Sequence, residues 1–208
     1  MKNKSYIGIS FIILIFGIYA VPKIIKNFTG SDLVEIGAVP KFELIDQNNQ
    51  KISNKDFEGK VYVLEFFFAT CPSICPIMNR NMVSIQNEFF GNPNFGQISI
   101  TINPENDTAE VLKDHAKSLG ATSKNWHFLT GDRDYIMNLS NKGFNIYSGQ
   151  NSKVAGGFEH SGLFALVDKK GIIRCRKDDQ GNPIMYYDGL EKKGVNAIKQ
   201  DIKLLLKE

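Results

Sequence analysis

Residues 61–76 read Val-Tyr-Val-Leu-Glu-Phe-Phe-Phe-Ala-Thr-Cys-Pro-Ser-Ile-Cys-Pro, and they carry the strongest structural signal in the 208-residue chain. The first eight are almost all β-branched or aromatic, which is typical of a strand covered on both faces at the centre of a parallel sheet. Apolar residues then recur at helical spacing from Pro76 to Phe90. Cys71 and Cys75 therefore stand at the junction between a buried strand and a helix.

The rest of the chain predicts one α/β domain over residues 34–208. Its sheet is expected to have a parallel centre and an antiparallel hairpin at its end, with helices on its faces. Strands are expected at 42–46, 51–53, 97–102, 126–129, 162–167 and 172–176, and helices at 107–119, 132–142 and 195–207.

The two cysteines offer two kinds of chemistry. At i and i+4 they share one face of a helical turn, so Cys71 and Cys75 can direct both sulfurs at one point. Two such sulfurs can bind a thiophilic metal or close into a redox-active disulfide. An inert structural bridge is less expected, because so short a loop removes little entropy from the unfolded chain. This placement, at the tip of a buried strand, is that of the thioredoxin cysteines.

Glu65 is a carboxylate inside the otherwise apolar strand, six residues before Cys71. Burial would favour its neutral form, and thioredoxins carry a proton-transferring acid at this distance from the first cysteine. Glu65 is thus a candidate general base for thiol-disulfide exchange. Strand twist could instead let Glu65 reach solvent or pair with a lysine, and both interpretations stay open here.

The other soft or titratable residues have simpler expected roles. Alternation predicts that Cys175 is a small buried residue of a strand. His115 and His127 are expected to be surface histidines or to be satisfied by neighbours. Met78 and Met82 follow the cysteines at helical spacing and are expected in the core.

The amino terminus predicts a membrane anchor. Lys2 and Lys4 precede an apolar run over residues 6–21. We expect an uncleaved signal-anchor over residues 1–22, a linker over 23–33 and the domain outside the cytoplasm, by the positive-inside rule. A cleaved signal peptide is the alternative. The formal charge of +3 is spread along the chain, so no nucleic-acid partner is expected.

Three segments resemble one known family. Residues 66–76 resemble the Cys-Pro-x-x-Cys-Pro signature of the Sco/SenC copper chaperones. Residues 101–108 are similar to that family's Asp-Pro-x-x-Asp-Thr segment. Glu159-His160-Ser161, together with the strand that follows, is similar to the family's late histidine block. Thr70, Ser73 and Asn103 depart from the family pattern, in which histidine, an acidic residue and aspartate are common.

The resemblance implies a thioredoxin-like fold and a copper site formed by Cys71, Cys75 and His160. Two thiolates and an imidazole suit copper(I) and can also hold copper(II). The implied function is a single-pass membrane chaperone on the periplasmic side, which delivers copper to the CuA site in subunit II of cytochrome c oxidase. Other copper or thiol-redox proteins are further expected partners. The alternative is a membrane-anchored thiol-disulfide oxidoreductase, with Cys71 attacking and Cys75 resolving.

Overall fold

A computed structural model describes residues 5–28 and 31–208 of the chain. The chain divides into two compact units, one up to Asp32 together with Glu208 and one from Leu33 to Lys207. The first contains helix α1 (Ser5–Phe28), which continues past residue 22 through much of the segment expected to be a linker. Residues 1–4 of the predicted anchor lie outside the described residues. Within the two described ranges, none of the helices combines the length and apolar character that a membrane span needs.

The second unit is built on a mixed sheet. The strands are β1 (Val34–Ala38), β2 (Glu43–Asp46), β3 (Lys51–Ser53), β4 (Val61–Phe67), β5 (Phe95–Thr101), β6 (Trp126–Thr130), β7 (Ser148–Gln150), β8 (Phe158–His160), β9 (Leu163–Val167), β10 (Ile172–Cys175) and β11 (Tyr187–Asp188). The main sheet has the order β1-β10-β9-β4-β5-β6-β2-β3, with β11 added beside β9, whereas β7 and β8 form a separate small sheet.

The centre of the sheet is parallel, as the sequence predicts. Strand β4 pairs in parallel with β5, and β5 with β6, while β9 lies antiparallel on the other side of β4. Every residue from Val61 to Phe67 is buried. A strand covered on both faces has no polar alternation, and this explains the continuous apolar run.

Helices follow the central strands. They are α2 (Cys75–Phe89), α3 (Ala109–Leu119), α4 (Arg133–Asn138) and α5 (Lys192–Leu205), and α4 continues as a π-helical turn over Leu139–Phe144. Helix α3 begins where the Thr108 hydroxyl accepts a bond from the Val111 amide, and it ends at Gly120 in the left-handed region. Both ends of α3 therefore lie where the local sequence predicts them.

Chain direction brings two distant segments to the same edge of the sheet. Strand β4 ends at Phe67, so the loop with Cys71 leaves the carboxyl edge of the parallel strands. Because β9 runs antiparallel to β4, Leu163 at its beginning lies towards the same edge. His160, three residues earlier, thus enters the structure close to the cysteines.

A buried carboxylate closes the turn after β2, away from this edge. Asp46 Oδ1 accepts bonds from the amides of Asn48 (2.8 Å) and Gln50 (2.9 Å), and Oδ2 lies 3.2 Å from His127 Nδ1. Gln47 in the same turn donates to the carbonyl of Trp126, the first residue of β6. The turn is therefore beside the amino end of the parallel strands.

We expect Asp46→Ala to lower the free energy of unfolding by about 3 kcal/mol, because it leaves buried donors without their charged acceptor. Urea denaturation monitored by circular dichroism measures this change. Glu43→Ala in the same strand is the control, since its exposed pair with Lys51 is worth at most about 1 kcal/mol. Equal midpoints for the two variants would contradict the prediction.

Candidate metal centre

Three soft ligand groups converge at the carboxyl edge of the sheet. The thiols of Cys71 and Cys75 and a ring nitrogen of His160 lie within 4.8 Å of one another. Cys75 Sγ is 2.9 Å from His160 Nε2. Among residues 5–28 and 31–208 this is the only group of three or more His, Cys, Asp or Glu side chains arranged to hold a metal ion. Two sulfurs and one imidazole nitrogen favour copper over hard cations.

The cysteines lie on different kinds of backbone. Cys75 is the first residue of α2, whereas Cys71 lies in the preceding loop, where its amide donates to the Phe68 carbonyl at 3.2 Å. The expectation that both cysteines belong to one helical turn is thus wrong, because residues 72–74 form bends before the helix starts. The bends nevertheless bring both sulfurs to one side, and both are free thiols.

His160 is oriented by the groups around its ring. Its Nδ1 lies 3.1 Å from the carbonyl oxygen of Ser161, and only a protonated Nδ1 can donate this bond. The other ring nitrogen, Nε2, faces Cys75. The ring also meets Phe68 edge-on at 5.9 Å. The sequence carried no signal for this role of Ser161, because the His160 ring is oriented by the Ser161 backbone carbonyl and not by its side chain.

The segment before His160 packs closely on the cysteine loop. Gly156 has φ +89°, and a Cβ at this position would lie 2.9 Å from the Phe68 ring and 3.1 Å from Pro72. Phe158 in β8 packs on Phe68 with ring centroids 5.6 Å apart. Only glycine combines this backbone conformation with so close an approach.

The two thiols differ in acidity. Burial acts to raise the pKa of Cys71, but hydrogen bonds from His160, from the Ser73 hydroxyl and from the amides of Ser73 and Cys75 outweigh it and lower this pKa to about 5. For Cys75, burial raises the pKa well above its usual range, and the neighbouring Cys71 and Glu65 add to the effect. At neutral pH, Cys71 is therefore a thiolate while Cys75 keeps its proton.

Glu65 is fully buried, so it does not reach solvent, and it pairs with no lysine in the part of the chain that the structure describes. Its Oε1 accepts a bond from the Ser99 hydroxyl at 2.7 Å, and Ser99 in turn accepts from the Trp126 indole at 3.0 Å. Within the described part of the chain, Glu65 Oε2 has no hydrogen-bond partner. Burial raises the pKa of Glu65 to about 8, although the Ser99 bond opposes this shift.

The remaining candidate residues lie elsewhere. Cys175, Met78 and Met82 are completely buried, as the sequence predicts. His127 pairs with the carboxylate of Asp46, and His115 hydrogen-bonds the side chain of Asn79, so each of these histidines is satisfied by a neighbour.

The residues that depart from the family pattern lie close to the site without joining the ligand set. Ser73 Oγ is 3.5 Å from Cys71 Sγ, which is one of the contacts that favour the thiolate. Asn103 is buried, and its side-chain oxygen accepts a bond from Asn106. Thr70 is exposed.

The sheet order, the cysteine pair between the central strand and its helix, and the facing histidine define a thioredoxin-like protein of the metal-binding or redox class. The family model of SCO1/SenC matches residues 35–193. The chain belongs to the SCO1/SenC family, and the resemblance drawn from its motifs is confirmed.

Three solved structures are similar to this chain. A SCO1/SenC family lipoprotein from Bacillus anthracis has a TM-score of 0.73 at 24% identity, over 86% of this chain and 99% of the relative. BsSco, a member of the Sco family of cytochrome c oxidase assembly proteins in which a disulfide switch is identified, has a TM-score of 0.70 at 26% identity, over 84% and 96%. Copper-bound yeast Sco1 has a TM-score of 0.59 at 25% identity, over 80% and 89%.

Glu65 makes the stability of the fold depend on pH. Its pKa rises from 4.5 to about 8 in the folded chain, so between these values the folded state holds a proton that the unfolded state has lost. Stability therefore decreases as pH rises through this window, by up to about 1.4 kcal/mol per pH unit.

We expect Glu65→Gln to flatten this decrease and to be more stable than the wild type above pH 8. Urea unfolding at a series of pH values measures both effects. Glu58→Gln, which changes an exposed carboxylate, should follow the wild-type curve. Parallel curves for wild type and Glu65→Gln would show that Glu65 ionises normally.

Proposed function

We propose that this protein is a copper chaperone that holds the ion between Cys71, Cys75 and His160. The observation that carries the proposal is the convergence of two thiols and one imidazole within 4.8 Å. Copper(I) accepts such a low-coordinate set of soft ligands, and copper(II) can use the same three groups. Zinc in a structural site usually takes a fourth protein ligand, and the cluster supplies only three.

The relatives support copper as cargo and the oxidase as destination. Yeast Sco1 binds copper in its solved structure, and BsSco belongs to a family of cytochrome c oxidase assembly proteins. We infer that this chain delivers copper to the CuA site of oxidase subunit II. Delivery would proceed by ligand exchange, in which ligands of the acceptor replace Cys71, Cys75 and His160 one after another.

We further propose that the domain works outside the cytoplasm at a membrane. Apolar side chains of α1 from Ile9 to Val21 are largely exposed, which suits an anchor in lipid. The lysines before this segment predict that the domain lies on the periplasmic side. The B. anthracis relative is a lipoprotein, and this supports attachment to a membrane.

His160→Ala is expected to abolish stable stoichiometric copper binding while Cys71 and Cys75 still form a disulfide reversibly. The reason is that copper loses one of three ligands, whereas exchange needs only the dithiol. Titration of the reduced protein against a competing chelator measures the affinity, and absorption spectra report thiolate ligation. His127→Ala is the matched control, because His127 lies beside Asp46 in another part of the sheet. Stoichiometric binding by His160→Ala would exclude His160 as a ligand.

A second function is favoured by the difference in acidity between the two thiols. We propose that the reduced chain also reduces disulfides in a partner, such as the cysteines of the copper acceptor. The Cys71 thiolate attacks one sulfur and releases the other as a thiolate, forming a mixed disulfide. Cys75 then attacks Cys71 and releases the second partner thiol. Two electrons pass to the partner, and the chain keeps a Cys71–Cys75 disulfide.

Cys75 must lose its proton before the second step, and we propose that Glu65 accepts it. A carboxyl group with a pKa of about 8 becomes ionised as the pH approaches 8, and its oxygen without a partner among the described residues can then take a proton. The electrostatic interaction between Glu65 and Cys75 supports this pairing.

We expect Glu65→Gln to slow the reduction of oxidised glutathione at pH 8 by at least about tenfold, because glutamine cannot accept the proton. Rapid mixing with the reduced protein measures the rate. Glu58→Gln controls for loss of a carboxylate elsewhere. An unchanged rate in Glu65→Gln would remove the general-base role and leave the copper site untouched.

A further inference from the structure

Two polar residues lie beside the segments that carry the two cysteines and are not among the proposed ligands. Asp107 is completely buried in the loop between β5 and α3, and His115 is half-buried on α3. Each contacts a different arm of the cysteine motif. One arm is the segment before Cys71, which contains Ala69, and the other is the first turn of α2 after Cys75, which contains Asn79. Neither has a role in the copper or redox chemistry described above.

Asp107 holds the arm that leads to Cys71. Its Oδ2 accepts a bond from the Ala69 amide at 2.9 Å, and Ala69 lies two residues before Cys71. The same oxygen accepts from the Thr101 hydroxyl at 2.5 Å, at the end of β5. One carboxylate oxygen therefore ties the loop after β4 to the end of the neighbouring strand. Charge-assisted bonds of this kind are the stronger ones in proteins.

His115 holds the arm that follows Cys75. The side-chain amide of Asn79 donates to His115 Nε2 at 3.3 Å, and Asn79 lies one helical turn after Cys75. The His115 ring also stacks on Phe67, the last residue of β4, with centroids 5.5 Å apart and planes at 26°. The histidine thus connects the first turn of α2 to the end of the central strand.

The two residues lie on one continuous segment, the loop before α3 and α3 itself. Asp107 lies two residues before α3 begins at Ala109, and His115 follows on the same helix. Burial lowers the pKa of His115, and the nearby charge of Asp107 partly opposes this shift. Asp107 Oδ1 and Asn79 Oδ1 are buried without a hydrogen-bond partner among the described residues. Such orphan atoms cost stability.

We propose that Asp107 and His115 are positioning residues that together set the separation of the Cys71 and Cys75 sulfurs. Asp107 acts through Ala69 on the first cysteine, and His115 acts through Asn79 on the second. The copper part of this inference rests on the proposed function. The separation of the sulfurs also governs formation of their disulfide, whose geometry is narrow, so the inference has a consequence that needs no metal.

The test compares Asp107→Ala with Asp107→Asn. Alanine removes both bonds to Oδ2, whereas the amide oxygen of asparagine can still accept them, since the other carboxylate oxygen has no partner among the described residues. Two quantities are measured on the full chain: copper affinity against a competing chelator, and the equilibrium constant of the Cys71–Cys75 disulfide in glutathione buffers.

We expect Asp107→Ala to weaken copper binding by about 10- to 100-fold, as for other residues that orient ligands, and to shift the disulfide constant by about tenfold or more. Asp107→Asn should restore both values to within about threefold of wild type. The matched control is Asp46→Ala, which removes an equally buried carboxylate that also accepts amide bonds, but far from the cysteines. It should lower stability and leave both site measurements within about threefold.

His115→Phe tests the contact between His115 and Asn79 after Cys75. If Asp107→Ala does not fold, this variant alone tests the positioning role. Phenylalanine can still pack on Phe67 but cannot accept the Asn79 bond, so about a tenfold loss of copper affinity and a shifted disulfide constant are expected.

Wild-type values in both Asp107→Ala and His115→Phe would overturn the inference, as would an equal loss in Asp46→Ala. A wild type that binds no copper would overturn the chaperone function instead, and the disulfide constants alone would then decide the positioning role.

Discussion

The candidate site depends on one long-range contact, the 2.9 Å approach of Cys75 Sγ to His160 Nε2. The two residues are 85 positions apart, and they meet because β9 pairs antiparallel with β4. That pairing brings the strand that follows His160 to the edge where β4 releases the cysteine loop. Glycine at position 156 lets the histidine segment approach Phe68 and Pro72. Without this approach of the histidine segment to the cysteine loop, the cysteines would form a redox pair without a third ligand.

The same contact between His160 and the cysteines explains how one site can support both copper binding and thiol-disulfide exchange. His160 stabilises the Cys71 thiolate, whereas burial keeps the proton on Cys75. A site with one thiolate ready and one thiol in reserve can accept a soft cation after losing one proton. It can also begin disulfide exchange without any change of fold. Glu65, a buried carboxylate that accepts a bond from Ser99, lies in the strand that leads to the cysteines, and we propose that it accepts the proton of Cys75.

Local patterns predicted the elements whose causes are local. The central strand was evident from its unbroken apolar run, and α3 from Thr108 and Gly120 at its ends. Strands β1, β7, β8 and β11 were missed. All four are short, and β1 and β11 pair with strands far along the chain, β10 and β9 respectively. The bends between Cys71 and Cys75 were missed as well, since spacing alone does not tell a helical turn from a loop that enters a helix.

By itself, the sequence determined the composition of the candidate site: two cysteines after a buried strand, a late histidine, an acid within the strand and membership of a copper-linked family. Only the tertiary structure decided which sulfur carries the charge, how the His160 ring is turned, that Glu65 is sealed from solvent and that Asp107 lies behind the cysteine loop. The physical reason is that acidity and orientation depend on burial and on hydrogen bonds between distant segments. Neither acidity nor side-chain orientation produces a recognisable pattern in the amino-acid sequence.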